Sequence, residues 1–179
     1  MAILIEQTQA EMQSSHSLSC RAEIVGVKVI SASFSAPKPL PTELEESLAV
    51  GIRFAPQEAP VAEGCVRAAT FFECIITESE EADEQEPIAK FECSLLATYH
   101  LQDGYVPSES EVAAFHKANV IFNCWPYFRE FIQSSACRMN IPPPPVPFVK
   151  VHIVQNDFSV PVPLVPKKRS KKVLKAPKA

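Results

Sequence analysis

Residues 120–148, VIFNCWPYFREFIQSSACRMNIPPPPVPF, constrain the fold more than any other stretch. Drawn as a helix, residues 120–139 are apolar on almost every side and carry Pro126 near the middle. A proline run at 142–145 stops the helix. A helix that is greasy all round cannot be covered by one sheet, so it must lie between layers. A chain of 179 residues holds about one domain with a core and tails. The second layer is therefore expected from another copy of the chain.

Upstream, the periodicity is that of strands. Val25, Val27 and Val29 share one face of residues 22–34, and the apolar phase then moves to Ile30, Ala32 and Phe34. A shift of one residue predicts a bulge. Leu48, Val50, Ile52 and Phe54 alternate with smaller or polar residues, a second strand. Residues 66–77 form a third, with Ala68, Thr70, Phe72, Cys74 and Ile76 on one face and Arg67, Phe71 and Ile75 on the other. Residues 88–101 form the cleanest strand, with Ala89, Phe91, Cys93, Leu95, Ala97, Tyr99 and Leu101 on one side. Pro37, Pro39 and Pro41 read as a stiff crossover, 55–64 as a turn, and the acid-rich 78–86 as a solvated hairpin tip.

Four strands in a row predict an antiparallel meander. Ser108 or Ser110 with Glu111 marks the start of a helix running from about 109 to 139. Strands followed by a helix predict an α+β fold, a four-stranded meander with a long kinked helix on one face. Residues 149–154 read as a short extra strand. Residues 1–20 read as a polar leader or short helix, 21–155 as the folded domain, and 156–179 as a disordered Pro/Lys-rich tail.

Charge is unevenly placed. Residues 167–178 hold seven basic groups and no acid. Without them, 10 of the 17 Lys and Arg face 21 acids, a body charge of about −11. Such a body repels nucleic acid and anionic membrane and steers basic partners. The tail reads either as a tether to polyanions or as a solubilising segment that folds back on the acidic body.

Chemistry-bearing constellations are missing. The 4 glycines make no GxxxxGK or GxGxxG, so no phosphate-cradling loop is expected. The six cysteines make no CxxC, and the four histidines make no HxxH or HExxH. Neither a metal nor a cofactor is expected. The cysteines read as reduced core thiols of a cytoplasmic protein. No apolar run approaches the ~20 residues of a membrane span. Arg129 and Glu130 are neighbours on a helix and cannot pair with each other, so each is expected to meet the sheet or a second subunit.

The run WPYFREFI at 125–132 resembles the helix signature of the SecB export chaperones, an aromatic–Pro–Tyr–x–Arg–Glu–x–Ile pattern. Residues 33–37, SFSAP, are similar to the motif that closes the family's first strand, with Ser35 in place of its glutamate. Pro142 and PVPF at 145–148 resemble the family's proline exit. The likeness covers roughly residues 22–150. The family's Cys-Pro before the helix signature is absent, Met139 and Asn140 replace its post-helix glycines, and a basic tail replaces its second helix.

The resemblance implies a homotetramer, a dimer of dimers with the long helices packed between two sheets. It also implies ATP-independent holding of unfolded or precursor polypeptides in apolar grooves, with hand-over to the SecA motor. Large aromatics suit such grooves because they bury much area with few rotors. The expected client-binding residues are Phe34, Phe54, Phe71, Phe72, Trp125, Tyr127, Phe128 and Phe131. The expected subunit interface comprises Ile121, Phe122, Trp125, Phe128, Ile132 and Ala136. No enzymatic role is motivated. Two alternatives stay open, a SecB-like chaperone dedicated to a toxin–antitoxin pair and an interaction module whose basic tail contacts nucleic acid.

Overall fold

A computed structural model describes residues 2–37, 49–57, 60–77 and 87–154. Pro39 and Pro41, the acid-rich run at 78–86 and the tail at 156–179 lie outside the described residues. The elements in chain order are β1 (Ala2–Thr8), α1 (Gln9–Ser19), β2 (Ala22–Ser35), β3 (Ala49–Pro56), β4 (Val61–Ala62), β5 (Cys65–Thr77), β6 (Ala89–Leu101), α2 (Glu109–Phe115), a π-helical turn (His116–Val120), α3 (Ile121–Arg138) and β7 (Phe148–Val154).

The architecture is α+β, an antiparallel sheet with a long helix on one face, as the periodicity predicts. The strand order differs from a simple meander. It runs β2-β6-β5-β3, with β4 also on β5, so the first strand lies beside the last. Only β3, β5 and β6 form a meander. The link between β2 and β3 joins opposite edges of the sheet, as in a Greek key, where a hairpin would have joined neighbours. Sequence periodicity marks strands but not which strands pair.

The two central strands alternate as their pattern requires. Even-numbered positions 66–76 of β5 and odd-numbered positions 89–101 of β6 are buried, and all face the helix. The bulge predicted in β2 falls between Val29 and Ser31, and a second lies between Ile24 and Gly26. A bulge skips one residue of the ladder, which returns Phe34 to the buried face opposite Phe91. β4 and β5 are joined by Glu63 and Gly64, with φ of 52° and 73°. Positive φ at both central residues is the hairpin turn that matches strand twist.

Of the two readings of the N-terminal stretch, the short helix is present as α1, and a strand, β1, precedes it. β1 pairs in parallel with β7, and α1 packs on α2. Ile5 and Leu18 enter the core. Thr8 and Glu11 form a reciprocal capping box that starts α1. The β1 partner lies more than 140 positions away, at Phe148–Val154. A pairing of that separation leaves no local pattern to read.

The long helix spans the predicted stretch but is broken into α2, the π turn and α3. Its start is the predicted one, with Ser108 and Glu111 forming a capping box. Pro126 sits inside α3, which continues to Arg138. The C-terminus is a Schellman motif: Ile141 N–H donates to Ala136 O and Asn140 N–H to Cys137 O, with Asn140 at φ 55°.

Packing corrects the expectation that this helix needs a second copy to cover its main stripe. Ile121, Trp125, Phe128, Ile132 and Ala136 are buried within the single chain. Phe72 of β5 stacks on Phe128 with ring centroids 5.0 Å apart. The face turned away carries Phe122, Pro126, Tyr127, Glu130 and Gln133 and is mixed, not uniformly apolar. Of the six expected interface residues, only Phe122 is outward-facing.

Candidate functional site

The helix signature anchors the chain that follows it. Trp125 Nε1 donates to Pro147 O at 3.0 Å, and the Arg129 guanidinium lies over the Phe148 ring, 4.9 Å from its centroid. Arg129 thus meets the first residue of β7, just beyond the proline exit, in its own chain. Glu130 is exposed. Trp125 also meets Phe54, Phe72 and Phe128 in an aromatic nest, with centroids 6.4, 6.1 and 5.5 Å away.

Two apolar features open from this core. The first is a groove of about 570 Å³ between the β3–β4 edge and α2, lined by Pro56, Val61, Pro107, Val112 and His116, with Gln57 and Glu109 as polar members. Phe54 and Pro56 share the helix-facing side of β3, so the groove wall continues from the aromatic nest. The second is the edge of β2 that no other described strand pairs, where Ile24, Val25, Val29 and Ile30 are all exposed, Val25 at 67%. A long, open, apolar edge strand offers unpaired backbone groups to any extended chain. Natural proteins blunt or cover such edges unless they are used.

The expected client-binding residues separate into three groups. Phe72, Trp125 and Phe128 are core residues. Phe34 and Phe54 are half-buried on the helix-facing side at opposite edges of the sheet, and Phe131 packs beside the core. Phe71 lies on the other face of β5, and Tyr127 is exposed on α3. The eight do not line one trough. Sequence reasoning missed Val61, Pro107, Val112 and His116, which come from segments 40 or more residues apart. Ile30 was legible as the site of the bulge, whereas the bulge at Val25 and the edge position of both residues were not.

Electrostatics give the site no catalytic poise. Burial pushes the thiols of Cys74, Cys93 and Cys124 up to about 12. They stay protonated and are poor nucleophiles. His116 sits 3.1 Å from Thr70 Oγ1, and burial lowers its pKa, so it is neutral at pH 7. Cys20 lies 3.5 Å from His16 and Cys65 lies 3.9 Å from His100. Among the described residues no group of three His, Cys, Asp or Glu could hold a metal ion. No described helix is long and apolar enough to cross a membrane. The opposite face of the sheet carries an ion-paired cluster near the start of β6, where Lys90 bridges Glu73 at 2.9 Å and Glu92 at 2.7 Å.

No family model matches the chain. Two curated relatives, SecB-like chaperones of the H37Rv and CDC 1551 strains of Mycobacterium tuberculosis, are each 34% identical over 71 residues. That stretch is 38% of this chain and 39% of each relative, so the chain matches about two-fifths of their length. The fold match is far wider. The solved structure of the Mycobacterium tuberculosis SecB-like chaperone Rv1957 superposes with a TM-score of 0.62 at 18% identity, covering 76% of this chain and 97% of that one.

The fold is that of the SecB-like chaperone Rv1957.

The structural match shows the fold, and the 71-residue stretch carries the sequence likeness. These SecB-like relatives are named as chaperones, not as enzymes. Rv1957 is solved in complex with a ChAD peptide from the Rv1956 HigA1 antitoxin. Among the described residues, the scaffold carries a groove beside its long helix and an exposed apolar strand at the sheet edge.

Proposed function

We propose that this SecB-like chain is an ATP-independent chaperone that holds unfolded polypeptide, with client side chains in the β3–β4/α2 groove and client backbone along the edge of β2. The observation that carries this reading is the apolar edge of β2, which no other described strand pairs, beside half-buried Phe34. A sequence without phosphate-binding glycine motifs supports a passive mechanism. Burying about 1,000 Å² of client apolar surface at about 25 cal/mol per Å² supplies tens of kcal/mol gross, most of it offset by ordering. The acidic body keeps the loaded complex dispersed.

The client is either one antitoxin or many export precursors. The antitoxin peptide held by Rv1957 favours the first. Assembly into a dimer of dimers, through β2 and the outward Phe122–Tyr127 face of α3, belongs to the same reading, as does docking to SecA for an export role. The decisive experiment follows light scattering of an aggregating unfolded protein without nucleotide. Suppression at near-stoichiometric ratio is expected, and unchanged scattering at excess chaperone overturns holding. Calorimetric titration with antitoxin-derived and unrelated unfolded peptides then separates the dedicated role from the general one.

A further inference from the structure

We propose that the cavity between α1, the π turn and β7 binds a small uncharged amphipathic molecule, with a head of carboxamide type that both donates and accepts hydrogen bonds. The cavity shares no lining residue with the β3–β4/α2 groove, and the site does not depend on the holding role.

The cavity measures about 340 Å³, within the range of small-molecule sites and room for about ten water-sized groups. Part of its wall is apolar, from Met12 of α1, Ala118 of the π turn and Phe122 of α3. The polar part is organised but incomplete. Gln7 of β1 is 3% exposed, and its Nε2 donates to Ala114 O at 3.0 Å. Among the described residues no donor reaches its Oε1. An amide oxygen on so buried a side chain needs a donor, and Gln7 lines the cavity, so the donor comes from there.

Across the cavity wall, Ser15 Oγ donates to Asn119 Oδ1 at 2.6 Å, and Asn119 Nδ2 donates to Ser19 Oγ at 2.8 Å. These two bonds fix which way the Asn119 amide points and leave its second N–H for a ligand carbonyl. An acceptor from β1 and a donor from the π turn are together the complement of a carboxamide. The turn itself is a second sign. A π turn inside an α-helix is rare and occurs mostly at functional sites, and this one places Ala118 and Asn119 in the wall.

Charge selects a neutral ligand. His16 is the one ionisable side chain in the lining, and its ring lies 3.5 Å from Cys20 Sγ. Lys117, next to Ala118, is already paired with Glu11 at 2.9 Å. An ionic head would lose its hydration here without gaining a counter-charge.

The test uses the full chain carrying ¹³C-methyl methionine. Met12 lines the cavity, whereas Met139 caps the end of α3. Titration with hexanamide should shift the Met12 methyl resonance saturably, with a Kd on the order of millimolar for a ligand of this size, and leave Met139 in place. Hexanoate and hexylammonium, its charged counterparts, should bind at least about tenfold more weakly. Gln7→Met keeps the length of the side chain and removes the acceptor. It should weaken hexanamide about tenfold and leave 2-heptanone, which accepts but does not donate, unchanged. Phe122→Ser, at a wall position 55% exposed and so tolerant of change, should weaken both ligands several-fold. No Met12 shift at about ten times the expected Kd means a cavity that holds only water, and overturns the proposal. So do matching shifts at Met139, equal or tighter binding of hexanoate, or equal loss of hexanamide and 2-heptanone in Gln7→Met.

Discussion

At the residue scale, burial divides aromatic side chains that look alike in the sequence. Phe128 is fully buried against Phe72, whereas Tyr127 beside it is 48% exposed. Phe128→Ala should cost about 3–5 kcal/mol of unfolding free energy in a denaturant titration. Tyr127→Ala should fall within about 0.5 kcal/mol of the parent. The WPYFRE motif is explained the same way. Trp125 and Arg129 hold Pro147 and Phe148, so the helix fixes its own exit. Asn140 does the work of the missing glycine at the helix end, in the left-handed region at φ 55°. Asn140→Gly should raise stability by about 0.5–1 kcal/mol, read as a higher denaturation midpoint at unchanged slope.

At the element scale, α2 is held by titratable groups whose signs agree. The Ser108 N–H donates to Glu111 at 2.9 Å, and with bonds from Ser17 and from Tyr105 Oη at 2.8 Å it lowers the Glu111 pKa to about 2. A carboxylate lowered on folding stabilises above its ordinary 4.5, and that contribution is lost as pH falls towards 2. His116, lowered by burial, stabilises above its ordinary 6.5 and loses the contribution as pH falls below it. Stability measured against pH should therefore decline in two windows. His116→Gln should flatten the upper one and Glu111→Gln the lower. The capping box was legible as Ser-x-x-Glu, and the bulge in β2 as a phase shift. The π turn was not, because HKANV carries no local signal distinct from an α-helix. β2 shows what exposure adds to pattern. Its apolar alternation marks a strand, yet only Val27 and Phe34 pack on the core, and Ile24, Val25, Val29 and Ile30 are left exposed at the sheet edge. Val29→Glu should leave the denaturation midpoint nearly unchanged and weaken suppression of client scattering several-fold.

At the scale of the whole molecule, assembly becomes a question about the edge and outer helix face, not about the buried stripe. Leu4, Phe122, Tyr127 and Phe148 remain exposed on the single chain, together with β2. Solution mass should correspond to a tetramer, and Val25→Lys with Ile30→Lys should shift it to a smaller species. A single copy that persists at high concentration would contradict the assembly and leave the groove as the sole holding surface.

Much of the element list follows from local spacing alone: four core strands, one long helix with its cap, a proline-terminated exit. Local spacing is enough there because period two and period 3.6 are written into adjacent residues. Partners are not. That β1 pairs with β7, that β2 lies beside β6, and that the sheet itself covers Trp125 and Phe128 were decided by the fold. Those contacts join residues far apart in the chain, and their free energy depends on which surfaces close over which others. An apolar pattern states how much surface must be hidden, and only packing decides what hides it.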